Sequence, residues 1–326
     1  MTYYFIISFV LTGLFQLFYI KKLNKVRFFQ RKEATESIKK ICIKELHKHK
    51  AATPSFGGMA IIASLFLVSL LYMILTRTML GGVLLLLLFG LLGFLDDYIK
   101  LKKIRDGVSP KEKLLGVIAI SILLVSYLSL SHQIDGFYFI LPFFDFCISM
   151  GALPYYLCLV LLLVAASNSM NITDGLDGLA LGISSIVLTV IGLMAWKLQV
   201  KDVLFGAIVL EGSCLASLCF NRHPAKVFIG DTGSLLLGGA IAYFLIRLQL
   251  PLWMPFLLIV CVWEMLSVIL QLGSLRFFKK RVFLIAPYHH HLEKRGWKET
   301  TIVLTFWMIT LLFSIISYVA FWEGRL

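Results

Sequence analysis

Long apolar runs occupy most of this chain and limit its fold more than any other feature. A bilayer core of roughly 30 Å is crossed by about 20 apolar residues in a helix. Of the 326 residues, 59% are apolar and only 15% are charged, whereas soluble domains have about 25% charged residues. The sequence therefore predicts an all-α polytopic membrane protein with about ten transmembrane helices. The ten runs are 2–20, 57–76, 79–95, 114–130, 153–170, 179–196, 203–219, 235–246, 251–270 and 301–322.

The run at 235–246 is short, and we expect its helix to begin earlier, near Gly233 and Ser234. No internal repeat or low-complexity segment separates the runs, so residues 1–326 are predicted to form a single integral membrane domain.

The cationic residues predict how the helices cross the membrane. The segments 21–50, 96–113, 220–234 and 273–300 hold 26 of the 31 Lys and Arg residues. Cytoplasmic loops are enriched in Lys and Arg, so these segments are predicted to be cytoplasmic and both chain termini external. The formal charge of +13 then reflects membrane orientation and offers cations to phosphates. We expect a lipid bilayer and no nucleic acid among the partners.

Two adjacent aspartates, Asp96 and Asp97, end the third run in the sequence GFLDDYIK (93–100). Neighbouring like charges at a membrane helix end repel each other unless they share a cation or a proton. Consecutive helical residues point about 100° apart, so the two need not do the same job. Lys100 lies four residues after Asp96, on the same helix face.

A second polar array follows the fifth run, where Asn168, Asn171 and Asp174 recur every three residues. Gly175 and Gly178 then allow a sharp turn or a close approach of the backbone to a ligand. Asp177 precedes the sixth run, where capping of the helix start is an alternative to ligand binding.

A third array, GDTGS at 230–234, begins the eighth run. Helix N-termini favour anions, while Asp231 could hold a divalent cation that bridges to a phosphate. Phe228, three residues before Asp231, could stack on a flat ring. Together the three arrays supply Asp and Asn oxygens, which suit Mg²⁺ or Mn²⁺. Hard cation sites among lysines predict a pyrophosphate substrate and phosphoryl transfer.

These motifs resemble the polyprenyl-phosphate N-acetylhexosamine-1-phosphate transferase superfamily over nearly the whole chain. The resemblance is carried by GFLDDYIK (93–100), NITDGLDGLA (171–180), PAKVFIGDTGSLLLGG (224–239), VWEMLSVILQ (262–271) and APYHHHLEKRGWKE (286–299). The histidine motif followed by Glu and Gly-Trp is similar to that of the branch with a muramoyl-pentapeptide nucleotide as donor.

The resemblance implies a reaction and its partners. Phospho-N-acetylmuramoyl-pentapeptide would pass from its UDP conjugate to undecaprenyl phosphate, forming lipid I and UMP with Mg²⁺. This is the first membrane step of peptidoglycan synthesis. The resemblance further implies a homodimer in the bacterial plasma membrane, with the active site facing the cytoplasm.

Residue by residue, the resemblance makes Asp96, Asp97 and Asp231 catalytic and Asp231 the metal ligand. It places Gly175, Leu176, Asp177 and Phe228 in a uridine pocket. Other substrate contacts are implied for Lys50, Ser55, Lys100, Lys113, Asn168, Asn171, Asp174 and Asn221. The chain departs from the family pattern after Lys50, where Ala52 replaces a glycine and Ser55 replaces a threonine.

We expect the carrier phosphate to attack the β-phosphorus in line and expel UMP, with Asp96 or Asp97 accepting a proton from the carrier or orienting it. A covalent aspartyl-phosphate route is the alternative mechanism. Two other functions are an N-acetylglucosamine-1-phosphate transferase of the same superfamily and an ion-coupled transporter. Transporters usually carry such residues near the bilayer midplane, whereas here they lie at helix ends.

Three consecutive histidines, His289, His290 and His291, follow a basic segment in the last cytoplasmic connection. Consecutive side chains diverge in both helices and strands, so the three are not expected to bind one metal ion. The triplet is predicted to form a loop over the substrate site, where imidazoles would hydrogen-bond phosphate or sugar oxygens. The alternative is that some of them only brace the loop.

Overall fold

The computed structural model describes residues 1–26, 53–102, 107–134, 136–144 and 146–323, and the side chains of 22–26 are not described. The prediction for Lys50 lies outside these residues. The described elements, in chain order, are α1 (Thr2–Val26), α2 (Gly58–Thr76), α3 (Gly81–Leu85), α4 (Leu87–Leu101), α5 (Pro110–Leu130), β1 (Tyr138–Ile140), β2 (Cys147–Ser149), α6 (Ala152–Thr173), α7 (Leu179–Lys197), α8 (Lys201–Asn221), α9 (Gly230–Arg247), α10 (Met254–Leu257), α11 (Ile259–Phe277), α12 (Tyr288–Lys294) and α13 (Glu299–Glu323).

The predicted all-α polytopic architecture is confirmed. Within the described residues, nine helices are long and apolar enough to cross a membrane. They correspond to nine of the ten apolar runs. The tenth run forms α9, which begins at Gly230, earlier than its apolar stretch, as expected.

Helix α9 lies at the centre of the bundle and packs against α2, α4, α6 and α7. Small residues allow these close contacts, as is usual between membrane helices. A Cβ built on Gly238 would lie 2.4 Å from the Ala166 carbonyl oxygen, and one on Gly58 would lie 2.3 Å from the Gly233 nitrogen. The surrounding helices therefore fix the position of the α9 N-terminus.

The run at 251–270 does not form one helix, and this boundary was predicted wrongly. A 3-10 turn at Pro251–Trp253 leads into the four-residue α10, and the long helix α11 begins only at Ile259. Pro251 and Pro255 lie in the first turns of the two short pieces, where proline is tolerated. The break before α11 falls at Leu258, whose φ of −99° and ψ of 28° are not helical.

The connection between α5 and α6 contains a short antiparallel hairpin, in which Tyr138 pairs with Ser149 and Ile140 with Cys147. Phe143, Phe144 and Phe146 near its turn are exposed. The hairpin lies at the opposite helix ends from the polar motifs, since α5 ends and α6 begins there.

Candidate active site

Three aspartates meet where α4 ends and α9 begins. Asp96, Asp97 and Asp231 each offer a carboxylate oxygen, and these oxygens lie within 4.8 Å of one another. The approach depends on Gly93, where an added Cβ would lie 2.1 Å from the Asp231 carbonyl oxygen. The structure thus brings together the first and third motifs predicted from the sequence.

Lys100 and Lys113 neutralise much of this charge. The Lys100 ammonium lies 3.0 Å from Asp231 Oδ2 and also contacts Asp96. The Lys113 ammonium lies 2.5 Å from Asp231 Oδ2 and 3.4 Å from Asp96 Oδ1. Within the part of the chain that the structure describes, Asp96 and Asp231 therefore share two lysines at one place.

A capping box holds Lys113 in position at the start of α5. Ser109 Oγ accepts a hydrogen bond from the Glu112 N–H, and Glu112 Oε2 accepts one from the Ser109 N–H. This reciprocal pairing fixes the first turn of a helix. Lys113, the next residue, therefore extends towards the cluster from a helix end that is fixed in place.

Asp97 is bound differently from Asp96. Its Oδ2 accepts hydrogen bonds from the Thr232 N–H at 3.0 Å and from the Thr232 hydroxyl at 2.6 Å. Its Oδ1 lies 3.4 Å from the Asp231 nitrogen. Asp97 therefore binds N–H groups at the start of α9 that have no partner within the helix, a position that favours a negative charge.

Gly230 allows this contact. Its φ of +66° lies in the left-handed region, and an added Cβ would lie 2.5 Å from Asp97 Oδ2 and 2.6 Å from Ser55 Oγ. Ser55, a predicted substrate residue, thus borders the cluster. Its segment is held in place because Phe228 N donates to Pro54 O and Gly57 N donates to Phe228 O.

Asn171 extends the site from α6. Its amide nitrogen donates to Asp231 Oδ1 at 2.9 Å and to Ser234 Oγ at 2.8 Å. Asn168, one turn earlier, instead donates to the Val164 carbonyl of its own helix. The second motif therefore reaches the cluster through Asn171.

The donor set fits a hard divalent cation. Asp96, Asp97 and Asp231 contribute carboxylate oxygens, the ligands preferred by Mg²⁺ and Ca²⁺ in proteins. No cysteine or histidine belongs to this group among the described residues. The cluster could therefore bind a metal through oxygen ligands.

A second polar network joins the α6–α7 connection to the α8–α9 connection. Asp177 Oδ2 accepts a hydrogen bond from Ala225 N at 3.0 Å and lies 3.0 Å from His223 Nδ1. Glu299, at the start of α13, accepts from Asp177 N at 2.7 Å. The Asp177 carboxylate thus binds the α8–α9 connection, and the residue that begins α7 as its N-cap is Gly178, without a side-chain cap.

Asn221 links the same two connections. Its Oδ1 accepts from Gly178 N at 2.9 Å, and its amide nitrogen donates to Val227 O at 2.8 Å. Asn221 is buried, as is Leu176, while Phe228 is half-buried. Asn221 therefore holds the backbone of both connections in place next to the residues of the predicted uridine pocket.

The turn between α6 and the buried Leu176 lies against the histidine segment. Asp174 is the C-cap of α6, and its N–H donates to Met170 O. A Cβ on Gly175 would lie 2.3 Å from His289 Nε2. The second motif and the histidine triplet, predicted separately, therefore meet at Gly175.

The histidine triplet forms the start of the short helix α12 and not a loop, with Pro287 immediately before its first residue. All three side chains are buried. His289 Nδ1 lies 3.0 Å from Glu264 Oε2, and His290 Nδ1 lies 2.7 Å from Glu293 Oε2. His291 Nδ1 accepts a hydrogen bond from Leu284 N at 3.1 Å. Each ring therefore braces the segment through Nδ1.

Several residues of the site escaped prediction. Thr232, His223 and Glu299 gain their roles from contacts between distant segments, which no local pattern reveals. Glu264 did carry a signal, because a carboxylate inside an apolar helix is costly. Glu211, the other acid within an apolar run, accepts a hydrogen bond from the Thr189 hydroxyl at 2.7 Å and lies outside the site.

Comparison with known proteins shows the family to which the chain belongs. The model of glycosyl transferase family 4 matches residues 79–249, which include all three aspartates. The phospho-N-acetylmuramoyl-pentapeptide-transferase of Shouchella clausii is 37% identical over 97% of this chain and 96% of its own length. The chain belongs to the phospho-N-acetylmuramoyl-pentapeptide-transferase family.

Other members of the phospho-N-acetylmuramoyl-pentapeptide-transferase family show the same likeness. The Geobacillus sp. protein is 39% identical, with 97% of each chain covered. The Acetivibrio thermocellus protein is 40% identical over 84% of this chain and 83% of its own length. Family membership therefore extends across the whole bundle, and the superfamily resemblance drawn from the motifs is confirmed.

Proposed function

We propose that this chain transfers phospho-N-acetylmuramoyl-pentapeptide from its UDP conjugate to undecaprenyl phosphate, forming lipid I and UMP. The observation that carries the proposal is the meeting of Asp96, Asp231, Lys100 and Lys113 at one helix end, in a member of this family. Two ammonium groups on one carboxylate cluster suit a pyrophosphate bound together with a cation.

In the proposed reaction, an oxygen of the carrier phosphate forms a bond to the β-phosphorus of the nucleotide. The bond between that phosphorus and the bridging oxygen breaks, and UMP leaves with the electron pair. Lys100 and Lys113 would bind the phosphate oxygens. Asp96, which faces both lysines, would orient the carrier phosphate or accept its proton.

Asp231, with Asp96 beside it, would hold a magnesium ion. When bound, such an ion neutralises the charge that accumulates on the departing phosphate. Asn171 keeps Asp231 oriented through its hydrogen bond to Oδ1. Asp97 holds the backbone of Asp231 in place, because it binds the first N–H groups of α9.

The proposal includes the cellular setting. The charge distribution favours an active site facing the cytoplasm of a bacterial cell, with the carrier lipid supplied by the surrounding bilayer. Association into a homodimer and the single-domain organisation stay predictions.

A radiolabelled transfer assay tests the proposal. The purified chain, undecaprenyl phosphate and Mg²⁺ should convert UDP-N-acetylmuramoyl-pentapeptide into lipid I, and omission of the metal should abolish the product. Asp231→Asn should lower turnover at least about 100-fold, since it removes a charge that would hold the magnesium ion beside the reacting phosphates. Asp202→Asn is the matched control. Asp202 also pairs with a cation, since its Oδ2 lies 3.1 Å from Arg247 Nε, but this pair is not part of the cluster.

Two other outcomes of these assays would contradict the proposal. Transfer from UDP-N-acetylglucosamine, with none from the muramoyl-pentapeptide nucleotide, would make the chain a related sugar-phosphate transferase. Ion uptake into vesicles without any lipid product would indicate a transporter.

A further inference from the structure

Glu264 is a fully buried carboxylate within α11, and both of its oxygens face one residue. Its Oε1 accepts a hydrogen bond from the His289 backbone N–H at 3.0 Å. Its Oε2 lies 3.0 Å from His289 Nδ1. The exposed fraction is 0% for Glu264 and 1% for His289, so water does not compete for these contacts.

The pairing fixes where the imidazole carries its proton. An ionised carboxylate only accepts hydrogen bonds, so the ring nitrogen that faces it must be protonated. His289 Nδ1 is therefore the N–H donor. In the neutral ring, the other nitrogen, Nε2, then carries a lone pair.

Nε2 is buried and has no hydrogen-bond partner among the described residues. It faces Gly175, where any side chain would collide with it, because an added Cβ would lie 2.3 Å away. Gly175 begins the connection that leads to Leu176 and Asp177. A buried ring nitrogen without a hydrogen-bond partner costs folding free energy. This cost indicates that a bound ligand supplies the missing donor.

We propose that Glu264 is a positioning residue, which holds His289 in its Nδ1–H form so that Nε2 accepts a hydrogen bond from the bound nucleotide. This inference rests on the proposed function. The partner group is an N–H or O–H donor, because a lone pair would repel the oxygens of a phosphate. The contact with Gly175, which is predicted to belong to the uridine pocket, favours the nucleoside as its source. His289 is then a nucleoside contact, distinct from the lysines that would bind the phosphates.

Glu264→Gln provides a test with almost no change in shape. The glutamine side chain has one oxygen, which the His289 N–H occupies, and one NH₂ group, which only donates. That NH₂ would face Nδ1, so the ring proton should move to Nε2. Glu211→Gln is the matched control, since Glu211 is also a carboxylate within an apolar helix but lies outside the site.

The ring nitrogens report the proton position directly. The full chain is labelled with ¹⁵N-histidine, and His289 is assigned from the signal lost in His289→Gln. We expect a protonated Nδ1 and a bare Nε2 in the natural protein and in Glu211→Gln, with the two exchanged in Glu264→Gln. A protonated Nε2 in the natural protein, or a pattern that Glu264→Gln leaves unchanged, would overturn the proposal.

Binding of UMP gives a second readout that needs no turnover. Glu264→Gln should raise the Kd for UMP about tenfold, the size of one lost hydrogen bond, while Glu211→Gln should not change it. Equal UMP affinity in both variants would contradict the proposed nucleoside contact. A natural protein without transferase activity would instead refute the proposed function, and the ¹⁵N pattern would still test the role of Glu264.

Discussion

Asp96 and Asp97 are neighbours in the chain but contact different groups. Asp96 accepts a hydrogen bond from the Val108 N–H at 2.8 Å and faces Lys100 and Lys113. Asp97 binds Thr232 and the start of α9. The divergence follows from the helix itself, since adjacent side chains point about 100° apart. We therefore expect Asp96 to matter for turnover and Asp97 to matter for both turnover and stability.

Replacement of each residue by asparagine should separate these roles. Asp97→Asn places an NH₂ group against backbone donors and should cost about 1–3 kcal/mol of stability. Asp96→Asn can keep the Val108 bond and relieves repulsion among three carboxylates. Its turnover should nevertheless fall at least about 100-fold, because the group proposed to orient the carrier phosphate is altered.

The two measurements are the apparent unfolding midpoint by tryptophan fluorescence and the rate of lipid I formation. Only Asp97→Asn should lower the midpoint clearly relative to the natural protein. A midpoint lowered equally by Asp96→Asn would show that Asp96 is also a structural residue and would contradict the division of roles.

At the residue scale, the sequence identifies carboxylates and amides more readily than their partners. Asp96, Asn171 and Asp231 stand out because polar side chains are rare in apolar helices. Their contacts with Thr232 or Lys113 depend on which helix ends meet, which no local pattern contains. The same limit hid His223, whose Asp177 partner lies 46 positions away.

At the element scale, helix α12 is held by its histidines. His291 Nδ1 accepts from the Leu284 N–H, and its ring stacks on Tyr288 at 5.4 Å between centroids. Burial, together with the nearby Arg295, lowers the pKa of His291 below its ordinary value. The neutral ring, which alone can accept the Leu284 hydrogen bond, is therefore the form that the fold favours.

Acidification should loosen this segment. Between the lowered pKa and the ordinary value of about 6.5, the unfolded chain binds the proton more readily than the folded chain. The stability contributed by His291 is thus present above about pH 6.5 and lost as the pH falls below it. Amide hydrogen exchange over residues 282–292, corrected for the intrinsic pH effect, should accelerate between pH 7 and pH 5.

His291→Gln tests the cause, because the glutamine oxygen can accept the Leu284 hydrogen bond at any pH. This variant should lose the pH dependence, while His132→Gln, at the opposite helix ends, should keep it. Exchange that accelerates equally in all three proteins would assign the effect to another group.

Apolar runs located the membrane segments more reliably than the ends of their helices. The runs at 179–196 and 203–219 match α7 and α8 closely. The run at 251–270 is also apolar, but its continuous helix begins only at Ile259, because the backbone at Leu258 is not helical. Apolar composition identifies membrane segments, whereas backbone hydrogen bonding decides where their helices begin.

At the scale of the whole molecule, the candidate site lies at one end of the bundle. Helices α4, α6 and α8 end there, and α5, α7 and α9 begin there. Among the residues that the structure describes, most cations outside the helices belong to connections at this same end. Charge and chemistry therefore favour one orientation, in which the β1–β2 hairpin is external.

Labelling of single cysteines tests this orientation. Cys147 in β2 is exposed, and a chain that keeps it while the other five cysteines are replaced should react with a membrane-impermeant maleimide in intact cells. The matched chain carries Lys294→Cys in α12, another exposed position, with all natural cysteines replaced. It should react only after the membrane is permeabilised, because the positive-inside rule places α12 in the cytoplasm. The reverse pattern would put the aspartate cluster outside the cell, where it could not meet a cytoplasmic nucleotide, and would contradict both the orientation and the proposed reaction.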